Sequence, residues 1–159
     1  LKNTTEILAA SARHKGASVT EVLVNCMIFN NGIHKKIVDK EFRADRTILL
    51  RHGEKMIYGA NNDKGIVLDG LKLKSVTIGQ DGYTMDDVLV HDAHCKDNTL
   101  HMMLAMMGGD MPVALGIIRD VEAPTYDESV HAQLKEVQEK MPCRTLDQFL
   151  RSCETWEIK

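Results

Sequence analysis

Apolar positions change their spacing along this chain, from a helical period to short continuous runs and back. Ile7, Leu8 and Ala12 share one helix face, Asn3 and Glu6 can close a capping box with Thr4 and Thr5, and Gly16 follows as a stop. Next comes Ala17–Asn25, whose run from Val19 to Val24 is rich in β-branched residues. Directly after a helix, such a run predicts an interior strand of a parallel sheet. Helix, tight turn and strand read as the second half of a βαβ unit, with its first strand expected before residue 1. The stretch Val22–Asn31 carries this strand outward to Cys26, Asn30 and Asn31. In open α/β sheets ligands bind beyond the carboxyl ends of strands, so these three residues become candidates for chemistry.

Beyond Asn31 the texture becomes charged. Residues 32–46 carry only Ile33, Ile37 and Phe42 as apolar anchors, which predicts a surface helix and loop. Short apolar runs follow at Thr47–Leu50, Met56–Tyr58, Ile66–Leu68 and Leu71–Ile78, separated by glycine-rich turns. Asp69-Gly70 is the sharpest hairpin signal. Residues 47–78 are therefore expected to form an antiparallel excursion covering one edge of the main sheet.

Val88–Val90 predicts a short buried strand ending at His91-Asp92. Asn98 can cap a helix in which Leu100, Met103, Leu104 and Met107 follow the helical spacing, ended by Gly108-Gly109. Val113–Ile118 predicts another interior strand. Thr125 with Glu128 and Thr145 with Gln148 start two further helices, the first with Val130, Leu134 and Val137 as its apolar stripe and Pro142 as its end. The pattern as a whole predicts a single α/β domain over residues 1–159: a mostly parallel sheet with flanking helices, plus the antiparallel hairpin excursion at about 47–78.

Composition narrows this only a little. A chain of 159 residues with 43% hydrophobic residues can build a real core. Its net charge of −3 gives no reason to expect a nucleic acid or an anionic membrane as partner. The longest apolar region, Met102–Ile118, contains Gly108, Gly109, Asp110 and Pro112 and cannot be one membrane helix. Four scattered cysteines without a CxxC pair argue against a disulfide scaffold or a self-contained zinc site, and so for a cytoplasmic, reducing location. A first residue that is not methionine, entering at once on a helix, is expected of a piece of a longer protein.

Candidate chemistry is sparse. Residue type and position alone leave Cys26 more naturally a small core residue than a metal ligand. Asn30 and Asn31 suit a cofactor contact and a strand-closing turn equally. His91-Asp92-Ala93-His94-Cys95 gathers three possible metal ligands but lacks zinc spacing. It reads better as a loop with His91 hydrogen-bonded to the backbone. His52-Gly53 and Lys64-Gly65 read as turns on a solvated face, Arg119 as the partner of Asp120 or Glu122, and the methionines 102, 103, 106 and 107 as adaptable packing. Glu6, Glu21 and Asp92 lack a paired carboxylate at useful spacing.

The motifs in series are more informative than any one of them. Asn25-Cys26 with Phe29-Asn30, Arg51-His52-Gly53, Tyr58-Gly59, Lys64-Gly65, His91-Asp92 and then Pro112, Gly116-Ile117, Arg119, Glu122 and Pro124-Thr125-Tyr126-Asp127 stand in an order that resembles one family. That family is the beta (thiamine diphosphate-binding) subunit of 2-oxoacid:ferredoxin oxidoreductases. The resemblance is to its C-terminal half, is greatest to the 2-oxoglutarate enzyme, and covers about Arg13 to Gln133.

The resemblance implies half of a thiamine diphosphate-binding fold. It also implies a role in oxidative decarboxylation of a 2-oxoacid to acyl-coenzyme A, with electrons leaving through a 4Fe–4S cluster to ferredoxin. In the family three cysteines of the N-terminal half and a later fourth hold the cluster. Cys26 matches the fourth, and Asn30 lies beside it as a cofactor-side residue. The motif for Mg2+ and diphosphate lies in the N-terminal half and is not found here. The isolated chain is therefore expected to be inactive, to bind no cofactor alone, and to contain no catalytic residue. Its expected partners are the N-terminal half of the same subunit, the alpha subunit, ferredoxin and coenzyme A. Asn31 departs from the pattern, which often has an acidic residue there. Two other classes stay open: a non-enzymatic scaffold on the same fold, and a small enzyme built on the His91–Cys95 loop.

Overall fold

The computed structural model describes residues 2–154 together with Trp156 and Ile158. Two compact units emerge, one holding the first helix and Ser18–Val121, the other Lys15–Ala17 and the chain from Glu122 onward.

In the first unit, α1 (Lys2–Arg13) opens the chain. Asn3 lies inside this helix, so the expected cap at Asn3 is not formed. Ile7, Ala10, Ser11 and His14 are half-buried while Leu8 and Ala12 stay exposed, which rotates the inward face from the one expected. Short helices α2 (Lys35–Val38) and α3 (Lys40–Arg46) follow, fully outside the core as their charge predicts.

Strand β1 (Thr47–Leu50) pairs in parallel with β5 (Val113–Gly116), matching Thr47 with Val113 and Leu50 with Gly116. This corrects the expected extent of the excursion: Thr47–Leu50 belongs to the parallel sheet. Parallel partners need a long crossover. The chain between them supplies one, made of β2 (Ile57–Tyr58), β3 (Lys64–Asp69), β4 (Lys72–Thr77), the single turn Met85–Asp87 and α4 (Thr99–Ala105). Strands β2, β3 and β4 form the antiparallel sheet in that order. Asp69 pairs with Lys72, leaving Gly70 and Leu71 as the hairpin tip, with Gly70 at φ +63° where an L side chain is disfavoured.

The core lies between these parts. Ile48 and Leu50 of β1, Met56, Tyr58 of β2, Ile66 of β3 and Leu104 of α4 are buried against one another. Leu100 of α4 packs against this cluster, as does Met107, which lies beyond the helix end because α4 stops at Ala105, short of the expected end at Gly108. Met103 is half-buried, and Met102 and Met106 stay exposed. Asn98 precedes α4, but the Asp97 carboxylate accepts from Thr99 N–H at 2.8 Å in its place. Val88–Val90 forms only an isolated bridge, Val90 with Lys55. It nonetheless runs along residues 53–56, with Met56 N–H donating to the Leu89 carbonyl and His91 N–H to that of Glu54.

The expected strand Ala17–Asn25 is not formed. Residues 17–25 join no sheet among the described residues and are exposed, Val19 at 97%. An apolar strand of this kind is stable only with partners on its edges and cover on its faces. Among the described residues neither is supplied.

In the second unit, α5 (Tyr126–Lys140) and α6 (Leu146–Leu150) begin at the two predicted capping boxes. Glu128 accepts from Thr125 N–H and pairs with Lys15 at 3.1 Å. The Thr125 amide first, and Lys15 second, hold its carboxyl below the usual carboxylate range.

Candidate functional site

Cys26 and Asn30 are brought together by a tight loop. Asn30 N–H donates to the Cys26 carbonyl at 3.1 Å and the two residues bridge. Asn25 closes the loop from outside, accepting from Gly32 N–H at 2.8 Å and donating to Asn31 Oδ1 at 3.0 Å. Asn25 and Asn31 are thus occupied in loop closure. The Cys26 thiol is exposed and Sγ accepts from Phe29 N–H at 3.4 Å. Amides of Phe29 and then Ile28, directed at the sulfur, lower its pKa below the ordinary 9.0. The buried core cysteine that residue type alone favours is therefore not what forms; the loop presents an exposed thiol whose pKa is lowered by backbone amides.

A second feature stands at the carboxyl ends of β1 and β5. The chain leaves β1 through Arg51-His52 and β5 through Ile117, and a crevice of about 330 Å³ opens there. Leu49, Leu50, Gly116, Ile117 and Ile7 supply its apolar lining, and Arg51, His52, His94, Glu6 and Asp120 its polar groups. Gly116 permits the close approach of the two strands: a β-carbon on it would stand 2.5 Å from the Leu50 carbonyl oxygen.

The residues 91–94 line or back this crevice and are fixed by histidines. His91 is 1% exposed and donates from Nε2 to the Ile117 carbonyl at 2.9 Å, the backbone bond expected of it. His101, 3% exposed, does the same to the Asp92 carbonyl at 2.8 Å. Burial, more than any other influence, pushes the His91 imidazole below its ordinary value near 6.5. The Nδ1 atoms of His91 and His101 are both buried without a partner among the described residues.

Hydrogen bonding also fixes the other tautomers. Ala93 N–H donates to His52 Nδ1 at 3.2 Å, which in the neutral ring puts the proton on Nε2, and the Asp92 carboxylate stands 3.4 Å from the same Nδ1. His94 Nδ1 faces the Asp120 carbonyl at 2.6 Å and must donate, leaving Nε2 as the acceptor. The two rings lie 4.3 Å apart. The Asp120 carboxylate accepts from His14 Nδ1 at 2.7 Å. Arg119 consequently has no carboxylate among the described residues and reaches only the Lys96 carbonyl at 3.4 Å, so its expected ion pair is not formed.

Lys64 is no plain turn residue: Nζ binds Asp45 at 2.7 Å, raising the lysine and lowering the carboxyl through that hydrogen bond. Among the described residues, no three of His, Cys, Asp or Glu stand together to hold a metal ion, including the His91–Cys95 loop. No described helix is long and apolar enough to cross a membrane. Sequence reasoning missed the crevice because it placed His52 in the antiparallel excursion; the signal was an Arg-His pair at a strand end, matched by His91-Asp92.

Comparison with known proteins adds identity to this geometry. No family model and no solved structure matches the chain. It is 32% identical over 158 residues to the 2-oxoglutarate oxidoreductase subunit KorB of Mycobacterium tuberculosis, a match covering 97% of this chain and 42% of that protein. The chain thus spans about two-fifths of the length of this relative, and the resemblance carried by its motifs is shown along nearly its whole length.

Proposed function

We propose that this chain, a relative of 2-oxoglutarate oxidoreductase subunit KorB, is the C-terminal part of the beta subunit of a 2-oxoglutarate:ferredoxin oxidoreductase. Within it the chain forms a single domain that completes the thiamine diphosphate-binding fold and packs against the N-terminal half and the alpha subunit. The holoenzyme, a cytoplasmic protein, converts the 2-oxoacid and coenzyme A to acyl-coenzyme A and CO2 and passes electrons to ferredoxin. The observation that carries this reading is a similarity covering 97% of the chain.

The residues present fit the part assigned to them. A cluster ligand must be a thiolate, and Cys26 offers an exposed sulfur that accepts a backbone N–H and is lowered in pKa by its loop. Asn30 holds that loop closed from its backbone and would so steady Cys26 as a ligand. The cluster, when bound, supplies one-electron transfer toward ferredoxin. The other ligands, the Mg2+ site and the diphosphate site come from outside these residues, which leaves the isolated chain inactive. The exposed run from Val19 to Phe29 supports the same view, because it needs cover that the described residues do not give.

The test is anaerobic co-expression of the full-length gene product with its alpha subunit, followed by a coenzyme A-dependent ferredoxin-reduction assay. Activity with 2-oxoglutarate well above that with pyruvate is expected. A folded complex inactive with every 2-oxoacid would overturn the enzyme reading in favour of a scaffold.

A further inference from the structure

We propose that the crevice beyond β1 and β5 is a binding site for a small aliphatic monocarboxylate, its oxygens held by Arg51 and His52 and its alkyl part by Ile7, Leu49 and Ile117. The inference uses only this chain's residues and stands apart from the oxidoreductase reading.

Three features support it. The first is place: the crevice lies beyond the carboxyl ends of two parallel strands, where α/β sheets take their ligands. At about 330 Å³ it is at the lower end of small-molecule pockets, and its lining is mostly aliphatic with a few polar groups. The second is an unused cation. The Arg51 guanidinium lines the crevice and has no hydrogen-bonding or ion-pair partner among the described residues. A guanidinium beside an apolar wall suits a carboxylate, which it can bind with two parallel hydrogen bonds.

The third is the fixed direction of the histidine donors. Ala93 N–H donates to His52 Nδ1, and the Asp92 carboxylate 3.4 Å from that nitrogen favours a protonated ring. In the neutral tautomer set by Ala93 and in the imidazolium alike, Nε2–H is a donor that an anionic oxygen can accept. His94 is held the other way by the Asp120 carbonyl, so its free Nε2 accepts. Glu6 also lines the crevice without a partner, whereas the Asp120 carboxylate is taken up by His14. With Glu6 unneutralised, a second anionic group on the ligand is disfavoured, which selects a monocarboxylate over a dicarboxylate.

Butyrate titrated into the full chain, followed by histidine ring NMR, tests this. Saturable shifts of His52 and His94 are expected, with butyramide producing none. Arg51→Gln, at an exposed side chain without a partner among the described residues, should weaken binding by about tenfold or more while the ring signals of the buried His91 and His101 stay in place. Lys72→Gln, on the exposed hairpin strand, should leave it unchanged. Absence of a saturable shift, equal binding of butyramide, or equal loss in Arg51→Gln and Lys72→Gln would overturn the assignment. Loss of oxidoreductase activity plays no part in the readout, so the two proposals fail separately.

Discussion

Gly116 and Leu50 face each other across the parallel pair so closely that a β-carbon on Gly116 would stand 2.5 Å from the Leu50 carbonyl oxygen. Gly116 also sits at φ +102°, in the left-handed region that side chains disfavour. Gly116→Ala is expected to destabilise the first unit by about 1–3 kcal/mol, from strain and from strand separation together. Urea unfolding checks this, and a variant as stable as wild type would show that the strands are not so closely apposed.

Leu104 is fully buried in the cluster that joins α4 to β1, β2 and β3. Leu104→Ala removes packing that its neighbours cannot fully restore, at a cost of about 2–5 kcal/mol. Met102→Ala, on the exposed side of the same helix, should fall within about 0.5 kcal/mol. Similar effects at both positions would place the wrong face of α4 inward.

His91 makes stability depend on pH near neutrality. Burial lowers its folded pKa below the ordinary 6.5, so on acidification the unfolded chain takes up a proton before the folded one does. Stability is therefore full above 6.5 and falls as pH drops from there toward the folded value. The carboxyls of Asp45 and Glu128 are lowered, so their contribution persists through this window and is lost only at lower pH. Urea midpoints at about pH 7.5 and about pH 5.5 should differ for the wild type and differ less for His91→Gln, whose amide can keep the bond to Ile117. An identical pH dependence in both proteins would assign the effect elsewhere.

The Cys26 loop predicts reactivity. With amides of Phe29 and Ile28 lowering its pKa, the exposed thiol should alkylate with a midpoint below the ordinary 9.0. Iodoacetamide labelling against pH, read on the Cys26 peptide by mass spectrometry, measures this. A midpoint at or above 9.0 would mean that the loop does not favour the thiolate.

What the sequence disclosed and what it hid follow a physical line. Features fixed by a few adjacent residues were legible: the tip after Asp69, the capping boxes of Thr125 and Thr145, and the inward placement of Leu100 and Leu104 on α4. Features fixed by distant partners were not. Thr47–Leu50 looks the same in a hairpin or beside Val113–Gly116, and only the parallel pairing places Arg51 and His52 at the crevice. The run from Val19 to Val24 has strand composition, yet no described strand pairs with it. The bond from His91 to a carbonyl could be anticipated in kind, but its partner Ile117 depended on the crossover. For Cys26, position in sequence pointed to a strand end, whereas the loop amides that set its chemistry became visible only in three dimensions.

The proposed role of Cys26 as an iron–sulfur cluster ligand is tested most directly by a metal count. The full-length gene product, co-expressed with its alpha subunit and purified without oxygen, should hold about four iron and about four acid-labile sulfide per beta subunit. Cys26→Ser should lose most of both while the complex still assembles. Equal iron and sulfide in the two proteins would contradict the assignment and leave Cys26 as a loop residue outside the cluster.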